Sequence, residues 1–403
     1  MLMGSGQRDD LLRRPAGMVF IVILVIASVL AYFLPQLAPL EPEEDENRFF
    51  TIVFKATYEN KNSEGDVWNF TEDEAGVSLF MNSSWQTVCL ANSSYQIERI
   101  ETDTDGNPIA FMTPPSPRLK SGENLSFEVA YRIILKPRSV PEISEGDSLT
   151  LDDMPENLRD LYCTSRGPWQ VTDAGLRSLA YDVAGNETRV LATVKRFIEW
   201  IRDHISRGTL DVPRYPIETF QGRIGDCDDQ ANLFVTLCRI VGIPAYLQAG
   251  CIYVSSKQSV NSHWDGCLIS ELTGIAWHGW ALVYVPPWGW LPVDFTYVSL
   301  SDLLADPLNA IRMSAIIAYP TVQYANITET DYIAASRDWR DFLIAHGFHI
   351  YEHDIMSEET AGEEVRHTAL LLPPRIFVVF HVVPFALLSS GSGTFKAHRT
   401  SRT

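Results

Sequence analysis

The stretch Gly225-Asp226-Cys227-Asp228-Asp229-Gln230-Ala231-Asn232-Leu233-Phe234-Val235-Thr236-Leu237-Cys238-Arg239-Ile240-Val241-Gly242-Ile243-Pro244 contains both ends of a helix. Asp226 is a capping residue, and Gly242 followed by Pro244 is the stop expected of a helix running from Asp228 to Val241. Cys227 then falls on the first turn, where unpaired N–H groups and the positive end of the helix dipole favour a thiolate. Asp228 and Asp229 oppose that ionisation, so a populated thiolate needs an imidazolium supplied from elsewhere. Cys227 also shares a helical face with Ala231, Phe234, Cys238 and Val241. On position alone, a buried structural thiol is an equal reading.

Two later stretches break the tie. His278-Gly279-Trp280 opens a run that ends at Val285, and Trp290-Leu291-Pro292-Val293-Asp294 closes the next one. If these are adjacent antiparallel strands, His278 and Asp294 stand side by side. The imidazole can then accept the Cys227 proton on one ring nitrogen while the other donates to Asp294. His263 is a rival base, but Asn261-Ser262-His263 reads as a loop with no carboxylate at strand spacing.

In this order, Gly225-Asp226-Cys227, His278-Gly279-Trp280 and Trp290-Leu291-Pro292-Val293-Asp294 resemble the core motifs of the transglutaminase-like superfamily, and the helix end from Leu237 to Ala245 resembles it too. The resemblance covers roughly residues 190 to 300. It implies a papain-like fold and covalent thiol chemistry at an amide or ester, with Cys227 as nucleophile, His278 moving the proton and Asp294 orienting it. Water as acyl acceptor would make a cysteine protease or amidase, and an amine would make a protein-glutamine transglutaminase. A protein or peptide of the cell envelope is the implied substrate. The backbone N–H of Cys227 is the natural oxyanion donor, and Gln221 stands where papain-type enzymes carry a side-chain donor. Of the tryptophans near His278, Trp280 and Trp290 read as core, and Trp288, after Pro286-Pro287, as lining a substrate groove. A zinc site of Cys227, His278 and Asp294 lacks a fourth ligand nearby, so neither metal nor cofactor is expected. The alternative from another class is a noncatalytic surface adhesion or scaffold protein that retains the fold.

Working outward, residues 186–355 form the transglutaminase-like domain, with helical periodicity after Asn186 and sheet-forming runs at 245–254, 275–285 and 289–293. Residues 138–185 read as a linker and wrapping segment. From Arg48 to Lys136 the pattern has period two, and Asp105-Gly106 supplies a hairpin turn, so 48–137 is expected to be an antiparallel, Ig-like β-sandwich. The expected class is thus α+β, a papain-like core preceded by a sandwich, with one or two transmembrane helices.

Residues 16–34 carry no charge, enough for a transmembrane anchor, with a signal peptide as the alternative reading disfavoured by the length of the run and the lack of a small-x-small site after it. Arg8, Arg13 and Arg14 precede the run and acidic residues follow it, placing 1–15 in the cytoplasm and the rest outside. Residues 370–388 form a candidate second span, interrupted by Arg375, His381 and three prolines. A peripheral tail or buried strand is the equal alternative, followed by the basic tail 391–403. Six N-x-S/T sequons, at Asn69, Asn82, Asn92, Asn124, Asn186 and Asn326, agree with an exported, glycosylated surface. The net charge of −19, concentrated as −24 on 41–367, excludes nucleic acid as a partner.

Six cysteines remain to be placed. With Cys227 reactive and Cys238 facing the helix core, Cys89, Cys163, Cys251 and Cys267 are left for two disulfides, Cys251–Cys267 being the first choice. His346, His349 and His353, with Glu352 and Asp354, could present metal ligands on a helix, but Gly347 weakens that helix and the segment reads as solvated and polar.

Overall fold

The computed structural model describes residues 47–71, 74 and 76–359. The apolar segments 16–34 and 370–388, and both tails, lie outside the described residues. Among the described residues no helix is long and apolar enough to cross a membrane.

Among the described residues the N-terminal part contains eight strands: β1 (Arg48–Asn60), β2 (Trp68–Asn69), β3 (Gly76–Ser78), β4 (Gln86–Ser93), β5 (Ile97–Thr102), β6 (Pro108–Met112), β7 (Arg118–Leu119) and β8 (Asn124–Leu135). The period-two pattern explains the two long ones. Phe50, Ile52, Phe54, Ala56 and Tyr58 are buried on β1, as are Leu125, Phe127, Val129, Tyr131, Ile133 and Leu135 on β8. Five helices follow: α1 (Glu156–Tyr162), α2 (Ala174–Ala184), α3 (Val190–His204), α4 (Pro216–Gly222) and α5 (Cys227–Ile240). The short parallel pair β9 (Ser206–Arg207) and β10 (Ile224–Gly225) delivers the chain to α5. The remainder comprises β11 (Ala245–His263), β12 (Leu268–Val285), β13 (Gly289–Val293), the short helices α6 (Leu300–Ala305), α7 (Asn309–Arg312) and α8 (Ala315–Ala318), then β14 (Thr321–Ile327), α9 (Tyr332–His346) and β15 (Phe348–Glu358).

One eight-stranded sheet runs β14-β11-β12-β15-β1-β8-β4, with β13 also paired to β12. The expected free-standing sandwich of residues 48–137 is therefore corrected. β1 pairs with β8 on one side and with β15 on the other, from Phe50↔Glu358 to Asn60↔Phe348. A strand has two hydrogen-bonding edges, and local alternation does not say which distant strand satisfies the second. A second layer does exist in β3-β6-β5. Its Val77, Ala110 and Met112 share the core with the large sheet, and Phe80 stacks on Phe54 of β1 with ring centroids 5.7 Å apart.

The segment expected as linker contains α2, capped by Asp173, whose side chain accepts from the Leu176 N–H. The helix expected after Asn186 begins at Val190, with Arg189 as its cap residue.

Helix α5 is the centre of the fold. Every residue from Asp229 to Ile240 is buried, and fully burying each of Leu233, Phe234, Val235 and Leu237 contributes about 1.5–3 kcal/mol. Three of its buried polar side chains are anchored: Gln230 Nε2 donates to the Gly225 carbonyl at 2.9 Å, Asn232 Nδ2 to the Tyr332 hydroxyl at 2.6 Å and Arg239 Nε to the Ala245 carbonyl at 2.7 Å. The helix ends as expected. Gly242 has φ 84°, and the Ile243 N–H reaches the Cys238 carbonyl at 2.9 Å.

β11 and β12 form a hairpin longer than the expected strands, paired from Ala245↔Val283 to His263↔Leu268 with an irregularity between Tyr253 and Gln258. That register places Cys251 opposite Trp277, while Cys267 lies beyond the far end of the ladder. The expected Cys251–Cys267 disulfide is not formed, and all six cysteines are free. Five sequon asparagines are exposed, but Asn326 lies in β14, where its Oδ1 accepts from Gln248 Nε2 at 2.6 Å.

Candidate active site

Asp226 caps α5 in a reciprocal arrangement: its side chain accepts from the Asp229 N–H, and the Asp229 carboxylate accepts from the Asp226 N–H at 3.3 Å. Asp229 also accepts from the Arg214 N–H at 2.7 Å. Its charge is thus turned away from the thiol. Cys227 is half-buried at the first position of the helix. Burial first, then the charges of Asp228 and Asp226, push the Cys227 thiol well above its ordinary pKa, and the Gly279 N–H, hydrogen-bonded to it, opposes that rise. The helix terminus alone therefore does not make a thiolate, because two adjacent carboxyls outweigh it.

Strand β12 brings His278 and Gly279 against this helix end. The fit is close: a Cβ on Gly279 would meet Asp228 Cβ at 3.2 Å. β13 pairs with β12 so that Ala281 faces Val293, and Asp294 continues past the strand end on the side of His278. His278 Nε2 lies 2.8 Å from Asp294 Oδ2, and both side chains are 1% exposed. Nδ1 remains as the nitrogen available to a thiol. Tyr297 packs on the imidazole with ring centroids 4.6 Å apart.

Asp294 is held by more than the histidine. Its Oδ2 accepts from the Ala315 N–H at 2.9 Å, and its Oδ1 from the Thr296 N–H at 2.9 Å and the Tyr297 N–H at 3.3 Å. Burial works to raise its pKa. The His278 charge and hydrogen bond, with the Thr296 and Ala315 N–H groups, outweigh that and leave the carboxyl below its ordinary range. Asp294 is thus a buried carboxylate fixed from three directions.

Cys227 and His278 open onto a cavity of about 310 Å³, also lined by Asp211, His263, Trp264, Trp277, Tyr332 and Glu352. His263, expected in a loop without a partner, ends β11 with its Nδ1 3.0 Å from Asp211 Oδ1. The carboxylate comes from the segment before α4, not from a neighbouring strand. Tyr332, at the start of α9, donates its hydroxyl to Asp228.

Two expected site residues are not brought to this cavity. Gln221 is exposed at the end of α4 and lines a separate depression with Glu218 and Arg337. The intervening β10 carries the chain away from it before Cys227 is reached. Trp288 packs against the core beside the β12–β13 turn, and Trp264, Trp277 and Trp339 line the cavity in its place. Trp280 is core as expected, 1% exposed, with Nε1 3.1 Å from Gln248 Oε1.

The segment 346–354 is likewise corrected. His346 ends α9 and Gly347, φ 64°, stops it, so His349 and His353 lie on a strand and no common helical face exists. The three imidazoles contact the Phe342 carbonyl, the Gly266 carbonyl and the Thr273 hydroxyl separately. Nor are Glu352 and Asp354 fully solvated, Glu352 being half-buried and Asp354 buried. They fall on the inward face of β15 with Ile350 and Met356. Asp226, Cys227 and Asp228 bring potential ligand atoms within 4.8 Å of one another. The Asp226 carboxyl is pushed up to about 10 by burial first and then by the charge of Asp228 and a hydrogen bond with it.

These features define a half-buried thiol beside a sealed His–Asp pair, on a mixed α+β scaffold. Residues 177–295 match the model of the transglutaminase-like superfamily. No curated protein is a significant sequence match. Among solved structures, the chain is similar to a protein named "putative cysteine protease" from Cytophaga hutchinsonii, at 16% identity and TM-score 0.45, covering 78% of this chain and 90% of that one. It is also similar to the periplasmic domain of TgpA from Pseudomonas aeruginosa, at 17% identity and TM-score 0.30, covering 66% of this chain and 91% of that one.

Proposed function

We propose that the protein is a thiol-dependent acyl-transfer enzyme acting at amide bonds, with Cys227 as nucleophile, His278 as general base and then general acid, and Asp294 as the residue that orients His278. The observation that carries this reading is the 2.8 Å contact between His278 Nε2 and Asp294 Oδ2, both shielded from water, beside Cys227 in one cavity. Because Cys227 is protonated at rest, His278 Nδ1 takes the thiol proton as Sγ bonds to the carbonyl carbon. The backbone N–H of Cys227, unpaired on the first helical turn, faces the developing oxyanion. Collapse of the adduct expels the amine, which receives the proton from His278 and leaves a thioester on Cys227. Water or a second amine then resolves the thioester.

The uncharged run 16–34, its arginine flank and the exposed sequon asparagines support an anchored protein whose folded part lies outside the membrane. The experiment that tests the chemistry is acylation by an activated ester, read by intact mass. A single acyl adduct on Cys227, lost in Cys227→Ala and resolved more slowly in His278→Ala, is expected; no adduct on Cys227 sinks the reading and leaves the scaffold alternative. The fate of the thioester in the presence of a tagged amine separates transferase from hydrolase.

A further inference from the structure

The cavity beside Cys227 has a second chemical feature that the thiol reaction does not use. On β15, Glu352 lies between Ala56 of β1 and Ser270 of β12, and Asp354 between Phe54 and Leu272. Both carboxyls point to the inward face of the sheet. Asp354 is 1% exposed. Its Oδ2 accepts from Trp277 Nε1 at 2.7 Å, but its Oδ1 has no hydrogen-bond partner among the described residues. Glu352 makes no ion pair there either, and it opens onto the same cavity as Cys227. Two unneutralised carboxyls at the base of an otherwise apolar wall are costly to the fold. Burial, and for Glu352 the charge of Asp354, push Glu352 well above its ordinary pKa and Asp354 up to about 7.

The rest of the lining shows what would offset that cost. Leu247, Ala249, Leu268, Trp277 and Ile350 supply apolar wall, and Asp211, Asp226 and Asp228 add acid near the thiol. No lysine or arginine is among the lining residues. A volume of about 310 Å³ suits a short flexible chain. An anion would find no lysine or arginine to pair with, a neutral chain would leave Glu352 unpaired, and a cation on an aliphatic stem satisfies both halves of the cavity.

We infer that this cavity takes a straight-chain alkylammonium group, its methylenes along Leu268, Trp277 and Ile350 and its nitrogen at Glu352. The substrate of the thiol site therefore carries a lysine-like cation. Glu352 is the specificity-determining residue. The inference deepens the proposed function and rests on it for the word substrate. The binding itself can be tested without any covalent step. Two sources share this chemistry: a lysine side chain next to the amide that Cys227 attacks, and the distal amino group of a diamine serving as acyl acceptor.

The test uses the full chain in detergent with Cys227→Ala, and calorimetric titration with n-pentylammonium and, as its neutral counterpart, n-pentanol. The ammonium is expected to bind at least ten-fold more tightly, and Glu352→Gln to abolish that advantage while leaving pentanol binding unchanged. Equal binding of the two probes, or an advantage that survives Glu352→Gln, overturns the inference whether or not Cys227 proves reactive. In the intact-thiol protein, preference for a lysine over a norleucine beside the reacting amide assigns the cavity to the acyl donor. Faster thioester capture by pentane-1,5-diamine than by pentylamine assigns it to the acceptor. Either preference must disappear in Glu352→Gln, and if neither exists the cation is not a substrate group and the inference fails.

Discussion

At the scale of single residues, the site rests on Asp294 and Asp226, two buried carboxyls with opposite behaviour. Three backbone N–H groups and His278 keep Asp294 ionised, so it can hold the imidazole with Nε2–H directed inward. Asp294→Asn preserves the shape but can donate its own N–H to Nε2, which favours the wrong tautomer. Modification of Cys227 at neutral pH is expected to slow on the order of 10²–10⁴-fold, measured by alkylation rate, with the melting temperature also lowered because the buried Ala315 N–H loses its acceptor. Asp226 sits beside Asp228 without a cation, and its proton is held up to about 10 by burial and that neighbour. Asp226→Asn keeps a good cap and removes the repulsion, so thermal melts at pH 8 should show stability raised by about 1 kcal/mol or more. Of the site, Cys227, His278 and Asp294 were legible because each lies in a short motif. Glu352, Asp211 and Tyr332 were not. They reach the cavity through long-range pairing, and in the run Phe348–Met356 the acids at 352 and 354 occupy inward positions that the strand period would otherwise reserve for apolar residues.

At the scale of elements, catalytic geometry depends on how β12 crosses the end of α5. β12 runs beside β15 as far as Thr273↔Ile355 and then diverges, pairing with β13 beyond Ala281. Gly274 is the pivot, with φ +69°, and a Cβ there would lie 2.1 Å from the Met356 carbonyl oxygen. Gly274→Ala is expected to cost more than about 2 kcal/mol in denaturant unfolding and to lower Cys227 reactivity by shifting His278. A second device is the Asp105 carboxylate. Its Oδ1 accepts from the N–H groups of Thr328 at 2.8 Å and Glu329 at 2.7 Å, tying the β5–β6 turn to the segment that enters α9. The Asp105-Gly106 turn was readable as a hairpin because αL glycine is a local requirement. Its role as a clamp was not readable, since the N–H donors it binds lie more than two hundred residues on.

At the scale of the whole molecule, the N-terminal strands β1, β8 and β4 share one sheet with β11 to β15 of the thiol domain. A fragment of residues 177–355 lacks β1 and would expose the full edge of β15. It is expected to be insoluble or unfolded where residues 47–359 are monodisperse, which expression and circular dichroism can check. Several buried carboxyls also give the whole molecule a pH dependence. Asp226, Asp229 and Asp354 are raised to about 10, 7 and 7, chiefly by burial. Each is protonated in the folded chain where the unfolded chain has lost its proton, so the stability they contribute is complete below about pH 4 and is lost as pH rises through about 7 for Asp229 and Asp354 and through about 10 for Asp226. The slope is about 1.4 kcal/mol per pH unit for each proton held, so the melting temperature should be lower at pH 8 than at pH 5. All these parts converge on one thiol, and the most direct measurement is the pH profile of Cys227 alkylation by iodoacetamide in wild type and His278→Ala. Wild type is expected to react at pH 7 at least ten-fold faster than the variant, whose rate should climb only in the alkaline range set by burial and the neighbouring acids. Equal rates in the two proteins would contradict the account.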